Sequence, residues 1–481
     1  MACESRQLGS ARSTQPTSKL SAIIPILASN SPFLRFVGVS GLRQSAFSIL
    51  FLAAATAVLV SCGNNYNNNP IGGTPGANPA TIKVHVFVSN PLFPNGNSTA
   101  PVLNVVDGQS DLLSPAVISV GATSSNPGLM VLFPNKRFTL VFSAANNSLT
   151  VVNNASRSVA QTSGGTSASI TLPGFSESIV VSPDNVTAFA AVANATVTGQ
   201  SPGVVDVLDL ANDVISAAIP VPGARYLAQS HNGNRLLAFG SRPDTVTVLA
   251  PSSVGTSTDP RTDVQSALFD HPVWAAFSSD DSTAYILNCG AECGGTAASI
   301  TLLDMNSNLP GPTIPIDSGT TGLLSGNILY VAGTKPGANT CAGSSPTTLA
   351  TTCGEVSTVD LGLMTVTATA TITDGDHNHM EMGANNRLFI GARTCTNIKA
   401  PSSGSTPGEI RGCLSILNTS TSTVVVPPLQ GDITGIQPIN RRNVVYVVQN
   451  GELGIYDTTT DKLQTTQVDI IGQAVDVKEV D

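Results

Sequence analysis

The chain is poor in charge, and in basic charge most of all. Charged residues make up 11% of its 481 residues, and 22 Lys and Arg stand against 31 Asp and Glu, a net charge of −9. A negative chain is repelled by phosphate backbones, so the composition argues against nucleic acid as a partner. Long heptad or amphipathic helical runs are also absent, whereas 43 Gly and 31 Pro supply many tight turns. These features predict an all-β protein.

Familiar catalytic motifs are missing as well. The sequence contains no Gly-x-Ser-x-Gly elbow, phosphate-binding glycine loop, dinucleotide fingerprint or Cys-x-x-Cys-His haem motif. Motifs therefore identify no enzyme class, and a non-enzymatic role is favoured.

The first 61 residues have the pattern of an export signal. Arg43 precedes an uncharged apolar run of 15 residues, Ala46–Val60, which is too short for a typical membrane span. The run ends in Leu59-Val60-Ser61-Cys62, which resembles the lipobox of bacterial lipoproteins and implies lipidation of Cys62. The alternative is a buried apolar segment beside an ordinary cysteine.

Removing residues 1–61 takes away five basic residues and Glu4, which leaves 17 Lys and Arg against 30 Asp and Glu, a net charge of −13. Residues 62–80, rich in Asn, Gly and Pro, are then expected to be a flexible tether, and residues 81–481 a single domain. Membrane association would come from the lipid. Gly63 after Cys62 favours the outer membrane, because many lipoproteins of the inner membrane carry Asp there.

One pattern organises the rest of the chain: an alternating apolar strand that closes on Asp or Asn. The closing positions lie 39 to 58 residues apart, the scale of a propeller blade. Ala replaces the acid once, and the eight positions are Asp107, Asn153, Asp209, Ala250, Asp304, Asp360, Asn418 and Asp457. Upstream of seven of them a second strand carries a large apolar anchor: Leu140, Phe189, Leu237, Tyr285, Tyr330, Phe389 and Tyr446.

The repeats resemble those of YVTN-type β-propellers. The clearest copy runs through Ile179–Asp184, Phe189–Asn194 and Val207–Asp209. The resemblance implies four-stranded antiparallel blades but no single function, because such repeats serve enzymes and binding scaffolds alike. Lactonase-type hydrolysis is the enzymatic activity that it suggests.

Counting strands predicts how the ring closes. The first repeat opens at Lys83–Ser89, which has the pattern of a second strand, and the chain ends on an unpaired first strand, Ala474–Val480. Pairing these two strands in one blade would complete eight blades and remove an exposed sheet edge. Seven blades remain an alternative, because the repeat around Met130–Pro173 ends irregularly.

Six cysteines form three pairs, each between the anchor strand and the Asp/Asn strand of one blade. The predicted disulfides are Cys289–Cys293, Cys341–Cys353 and Cys395–Cys413. Metal chelation by the closely spaced first pair is the alternative.

The densest polar cluster precedes the innermost strand of the seventh blade. In a regular strand His377, His379 and Glu381 would share one face, where two imidazoles and a carboxylate suit zinc, copper or iron. The alternative is a structural role, in which the polar residues before the innermost strand only cap a turn. The candidate ligand or metal residues are Asp374, Asp376, His377, His379 and Glu381, with Asp270 and His271 of an earlier blade expected to face the same channel.

Together these features predict an exported, lipid-anchored β-propeller that acts as a binding or interaction module at the cell envelope. Its partner would be an envelope protein or a small ligand. The alternative is a metal-binding protein or a lactonase-like hydrolase with its site around Asp374–Glu381.

Overall fold

The computed structural model describes residues 78–96, 98–121, 127–162, 165–335, 353–395 and 412–481. All of these belong to the second of the chain's two compact units, Tyr66–Asp481. The leader, Cys62 and most of the tether lie outside the described residues, so lipidation and export remain predictions.

In the part of the chain that the structure describes, thirty-three strands form eight antiparallel sheets, which we number as blades 1 to 8. The strands of the first four blades are β1 (His85–Asn95), β2 (Ser98–Asp107), β3 (Leu112–Ser119), β4 (Pro127–Leu132), β5 (Phe138–Ser143), β6 (Ser148–Asn153), β7 (Ser158–Val159), β8 (Ser169–Thr171), β9 (Ser178–Val181), β10 (Thr187–Val192), β11 (Val204–Asp209), β12 (Val214–Pro220), β13 (Tyr226–Gln229), β14 (Leu236–Phe239), β15 (Thr245–Leu249) and β16 (Arg261–Gln265). The strands of the remaining blades are β17 (Pro272–Phe277), β18 (Thr283–Asn288), β19 (Ser299–Asp304), β20 (Leu309–Pro315), β21 (Thr321–Ser325), β22 (Ile328–Lys335), β23 (Cys353–Asp360), β24 (Thr365–Ile372), β25 (Asp376–Gly383), β26 (Arg387–Arg393), β27 (Leu414–Asn418), β28 (Thr423–Val425), β29 (Ile433–Pro438), β30 (Val444–Gln449), β31 (Glu452–Asp457), β32 (Lys462–Leu463) and β33 (Val477–Glu479).

The innermost strands of neighbouring blades contact one another in the cyclic order β33, β4, β9, β13, β17, β21, β25 and β29, and β29 returns to β33. The protein is therefore an eight-bladed β-propeller, as predicted, and the seven-bladed alternative is wrong. The irregular repeat is blade 2, where β7 and β8 share the outer position: β7 pairs with the end of β6 and β8 with its start. Among the described residues, no helix is long and apolar enough to cross a bilayer.

The core is divided among the eight junctions between blades. Each of eight apolar clusters draws its buried side chains mainly from two neighbouring blades. Between blades 7 and 8, for example, the Phe389 and Tyr456 rings meet edge to face, with centroids 6.2 Å apart. Both faces of a blade are thus buried against neighbours, so each blade depends on the blade at either side.

The Asp and Asn residues that close the third strands cap the turns that follow them. Asp209 Oδ1 accepts the N–H groups of Ala211 and Asn212 at 3.0 and 3.1 Å. Asp304 and Asp360 accept the corresponding pairs of backbone N–H groups in their own blades. These local bonds explain why the sequence pattern repeats with the blade.

Ring closure takes place in blade 1, where β33 pairs antiparallel with β1 in the register Phe87 opposite Lys478. Asp476, just before β33, is buried and fastens this joint to two blades. Its backbone N–H donates to Ser89 Oγ at 3.0 Å, while its Oδ2 accepts the Met130 N–H of blade 2 at 2.8 Å. The predicted pairing of the chain ends is consistent with this geometry.

We expect Asp476→Ala to lower the free energy of unfolding by roughly 1–3 kcal/mol, because the buried Met130 and Val477 N–H groups lose their acceptors. Denaturant-induced unfolding measures this change. Asp476→Asn is the matched control, because it keeps one oxygen acceptor and the side-chain shape and should cost less. Equal stability of Asp476→Ala and the unaltered protein would contradict the role of Asp476 in closure.

Candidate functional site

The strand that carries the predicted cluster, β25, is not regular. His377 pairs with Ala392 while His379 pairs with the adjacent Gly391, so Asn378 is an extra residue in a β-bulge. The bulge reverses the alternation of side chains between the two histidines. His377 and His379 therefore point to opposite faces, and the prediction that His377, His379 and Glu381 share one face is wrong. Only His379 and Glu381 do.

His377 is a buried structural residue. Its Nε2 donates to the Thr373 carbonyl oxygen at 2.9 Å, and its own carbonyl accepts the Thr320 hydroxyl of blade 6. Burial lowers the pKa of His377 to about 4, against the smaller opposing effects of the Thr373 bond and neighbouring carboxylates. The ring is neutral at physiological pH, with an unprotonated Nδ1 that has no hydrogen-bond partner.

His379 and Glu381 are half-buried and lie near Lys478 of the closing strand. Burial, together with the smaller effects of the positive charges of Lys478 and Arg393, lowers the pKa of His379 to about 3. Burial raises the pKa of Glu381. The positive charge of Lys478 opposes this rise, and the negative charge of Asp476 adds to it. Near the axis of the ring the propeller therefore has a neutral imidazole, a carboxyl group and an ammonium group.

The two aspartates before this strand have different environments. Asp374 is buried, whereas Asp376 is exposed and accepts the Thr394 hydroxyl at 2.9 Å. Throughout the described ranges, no group of three or more His, Cys, Asp or Glu side chains has an arrangement that could hold a metal ion.

Asp270 and His271 do not join this cluster. Asp270 Oδ2 accepts the backbone N–H groups of Thr296 and Ala297 at 2.7 and 2.9 Å, and its Oδ1 lies 2.8 Å from His271 Nδ1. Burial acts against ionisation, but these hydrogen bonds outweigh it and hold the pKa of Asp270 well below its ordinary value. Asp270 thus shapes the disulfide loop of its own blade, as the turn-capping alternative proposed.

The disulfides Cys289–Cys293 and Cys395–Cys413 are present, with Cα–Cα distances of 5.6 and 5.5 Å. Both disulfides lie on the top face, which we define as the face where the innermost strands begin. The innermost strands end on the opposite face, which we call the bottom face. Cys353 is disulfide-bonded. Its predicted partner Cys341 lies outside the described residues.

The first disulfide loop contains a functional candidate that sequence reasoning missed. Glu292 lies in the 3₁₀ turn Gly290–Cys293 of blade 5, and its Oε2 accepts the Thr334 N–H of blade 6 at 2.9 Å. The pKa of Glu292 is raised to about 7, mainly because the side chain is buried. Hydrogen bonds from Thr334 and Gly319 act to lower this pKa, and the negative charge of Asp376 acts to raise it. The only signal in the sequence was a carboxylate between two bonded cysteines.

A second missed feature is an exposed aromatic residue on blade 4. Arg225 forms two bonds to Glu177, Nε–Oε2 at 2.8 Å and Nη2–Oε1 at 3.0 Å, and its guanidinium lies 5.6 Å from the centre of the Tyr226 ring. Burial raises the pKa of Tyr226, and the charges of Asp376 and Arg393 on blade 7 also act on it. Tyr226 therefore lies within electrostatic range of blade 7 across the channel. We call Tyr226, Glu292, Asp376 and Arg393 the top rim.

Comparison with known proteins supports the fold alone. No protein-family model matches the chain, and no curated protein matches it. The dihydro-heme d1 dehydrogenase NirN, solved in complex with DHE, is 12% identical, with 85% of this chain and 78% of that one covered and a TM-score of 0.58. Hydrazine synthase of Kuenenia stuttgartiensis is 16% identical over 60% of this chain and 77% of that one, with a TM-score of 0.45. The Swd1 β-propeller domain of Myceliophteria thermophila is 10% identical, with coverages of 67% and 93% and a TM-score of 0.43.

We expect the Glu292 carboxyl group to titrate near pH 7. Because its pKa is raised in the folded state, the free energy of unfolding should fall as the pH rises from about 4.5 through 7, then level off. Carboxyl ¹³C NMR and urea unfolding across this range measure the two effects. Glu292→Gln should remove the fall, and a midpoint near 4.5 would show that Glu292 is solvated rather than held between blades.

Proposed function

We propose that this protein is an exported propeller of YVTN type, anchored to the cell envelope through Cys62, that binds a partner through its top rim. Tyr226 carries the proposal. It is 38% exposed, and the Arg225 guanidinium, which is paired with Glu177, lies 5.6 Å from the centre of its ring. An exposed tyrosine offers a large contact area on binding, and its stacking on Arg225 reduces the side-chain entropy that binding costs.

The chemistry around Tyr226 suits a polar partner with charges of both signs. Arg393 and Asp376 are exposed on blade 7, across the channel from blade 4. Tyr and Arg are the residues that most often dominate binding energy at interfaces, and a neighbouring carboxylate adds selectivity. An envelope protein or a polar small ligand would fit this surface.

Preorganisation of the top loops supports the same proposal. The loop Cys289–Cys293 is closed by its disulfide, by Asp270 at its base and by Glu292, which reaches the next blade. Loops fixed by a rigid scaffold are the usual carriers of binding function. Disulfides persist in oxidising compartments, which agrees with export.

We expect a photo-reactive amino acid at position 376 to cross-link a partner in cells that produce the protein. The same probe at position 235, in a bottom-face turn of blade 4, is the control and should give no adduct. Tyr226→Ala should abolish the adduct from position 376, while Tyr226→Phe retains most of it because the ring persists. Adducts of equal yield from positions 376 and 235, or an adduct indifferent to Tyr226→Ala, would contradict binding through the top rim.

We expect cells that produce the protein to attach a labelled fatty acid to it and to retain it in the membrane fraction. Cys62→Ser should remove the label and release the protein, since the thiol is the site of acylation. Cys3→Ser is the matched control within the leader and should change neither result. A label that survives Cys62→Ser would contradict anchoring at this position.

A further inference from the structure

A cavity of about 700 Å³ opens on the bottom face, opposite the top rim. Met382 of blade 7 and the turn after β29 form one side, Leu132 and Lys136 of blade 2 form another, and Glu479 of β33 also lines it. It lies where the ring closes. In blade 1 the two inner strands, β33 and β1, come from distant parts of the chain, so no hairpin turn joins them at this face.

Three cationic side chains line this cavity in a chain of net negative charge: Lys136, Arg441 and Arg442. The one carboxylate in the lining, Glu479, already accepts the Asn440 N–H at 2.7 Å. Arg442 is bound by Asp111, with Nη1–Oδ1 at 2.5 Å and Nη2–Oδ2 at 2.8 Å. Lys136 Nζ donates one hydrogen bond to the Asp481 carbonyl oxygen, which leaves two of its three N–H groups for a ligand. Arg441 is exposed and makes no hydrogen bond or ion pair with any described residue.

The backbone at two of these cations is strained. Lys136 and Arg441 have φ angles of 57° and 60°, in the left-handed region that long L side chains disfavour. In the other inner hairpins of the bottom face, which join the first and second strands of a blade, the left-handed positions belong to residues that tolerate this conformation: Asn185, Gly233, Asp281, Gly326, Asn385 and Asn386. Arg157, Met364 and Ser422 adopt left-handed angles in the outer hairpins of the same face. Among the inner hairpins, long cations occupy strained positions only in the two described blades that flank the cavity.

Apolar groups form the remainder of the lining. Leu132 and Met382 are partly exposed beside the buried Ile439. A purely inorganic anion would use the cations but leave this surface in water. We infer that the cavity binds a small organic anion, with its phosphate or carboxylate between Arg441 and Lys136 and its apolar part against Leu132 and Met382.

Calorimetric titration of the purified protein with hexyl phosphate tests this site. We expect hexyl phosphate to bind more tightly than inorganic phosphate, and hexyltrimethylammonium, which has the same apolar chain and the opposite charge, not to bind. Arg441→Gln and Lys136→Gln should each weaken hexyl phosphate binding about tenfold or more. Arg235→Gln removes one charge from the bottom face of blade 4 and should leave binding unchanged.

Arg441→Gly separates a binding role from a structural one. Glycine relieves the left-handed strain, so the midpoint of thermal unfolding should rise while hexyl phosphate binding is lost. Binding of hexyl phosphate that is unchanged by Arg441→Gln, or equal binding of the alkylammonium ion, would overturn the inference. So would a lower unfolding midpoint of Arg441→Gly with binding retained.

Discussion

The pairing of β33 with β1 is the contact on which the rest of the structure depends. Each blade buries apolar side chains on both faces, so an open ring would leave two blade faces and one sheet edge in water. Asp476 strengthens this joint because its backbone bonds to blade 1 and its carboxylate accepts an N–H group of blade 2. Closure therefore links the stability of every blade to one short strand.

Closure also makes the two ends of the channel different. On the top face, the disulfide loop of blade 5 is fixed by a bond that crosses to blade 6, from the Thr334 N–H to the Glu292 carboxylate. On the bottom face, a cavity beside the closure joint has cations at its edge. The strands thus act as a common frame, while the loops and the closure joint determine what each face can bind.

The pattern of the sequence predicted the strands and two disulfides seen in the structure, because these depend on neighbours along the chain or on alternation of period two. The number of blades and the closure by β33 and β1 followed from counting those strands. The same alternation failed across Asn378. One extra residue in β25 turns His377 into the blade and leaves His379 near the axis. The residue types at this position do not predict a bulge. Asp270 was expected to face the channel. Its hydrogen bonds instead go to Thr296 and Ala297 and fix the disulfide loop of blade 5.

The sequence by itself determined an all-β ring of repeated blades, since local periodicity and turn-capping side chains are properties of short segments. Only the tertiary structure decided which polar groups meet. Tyr226 and Arg393 are far apart in the chain and come together because the curvature of the ring places blades 4 and 7 across one channel. Burial, which is the largest cause of the pKa shifts of Glu292 and His379, likewise exists only after the blades have packed.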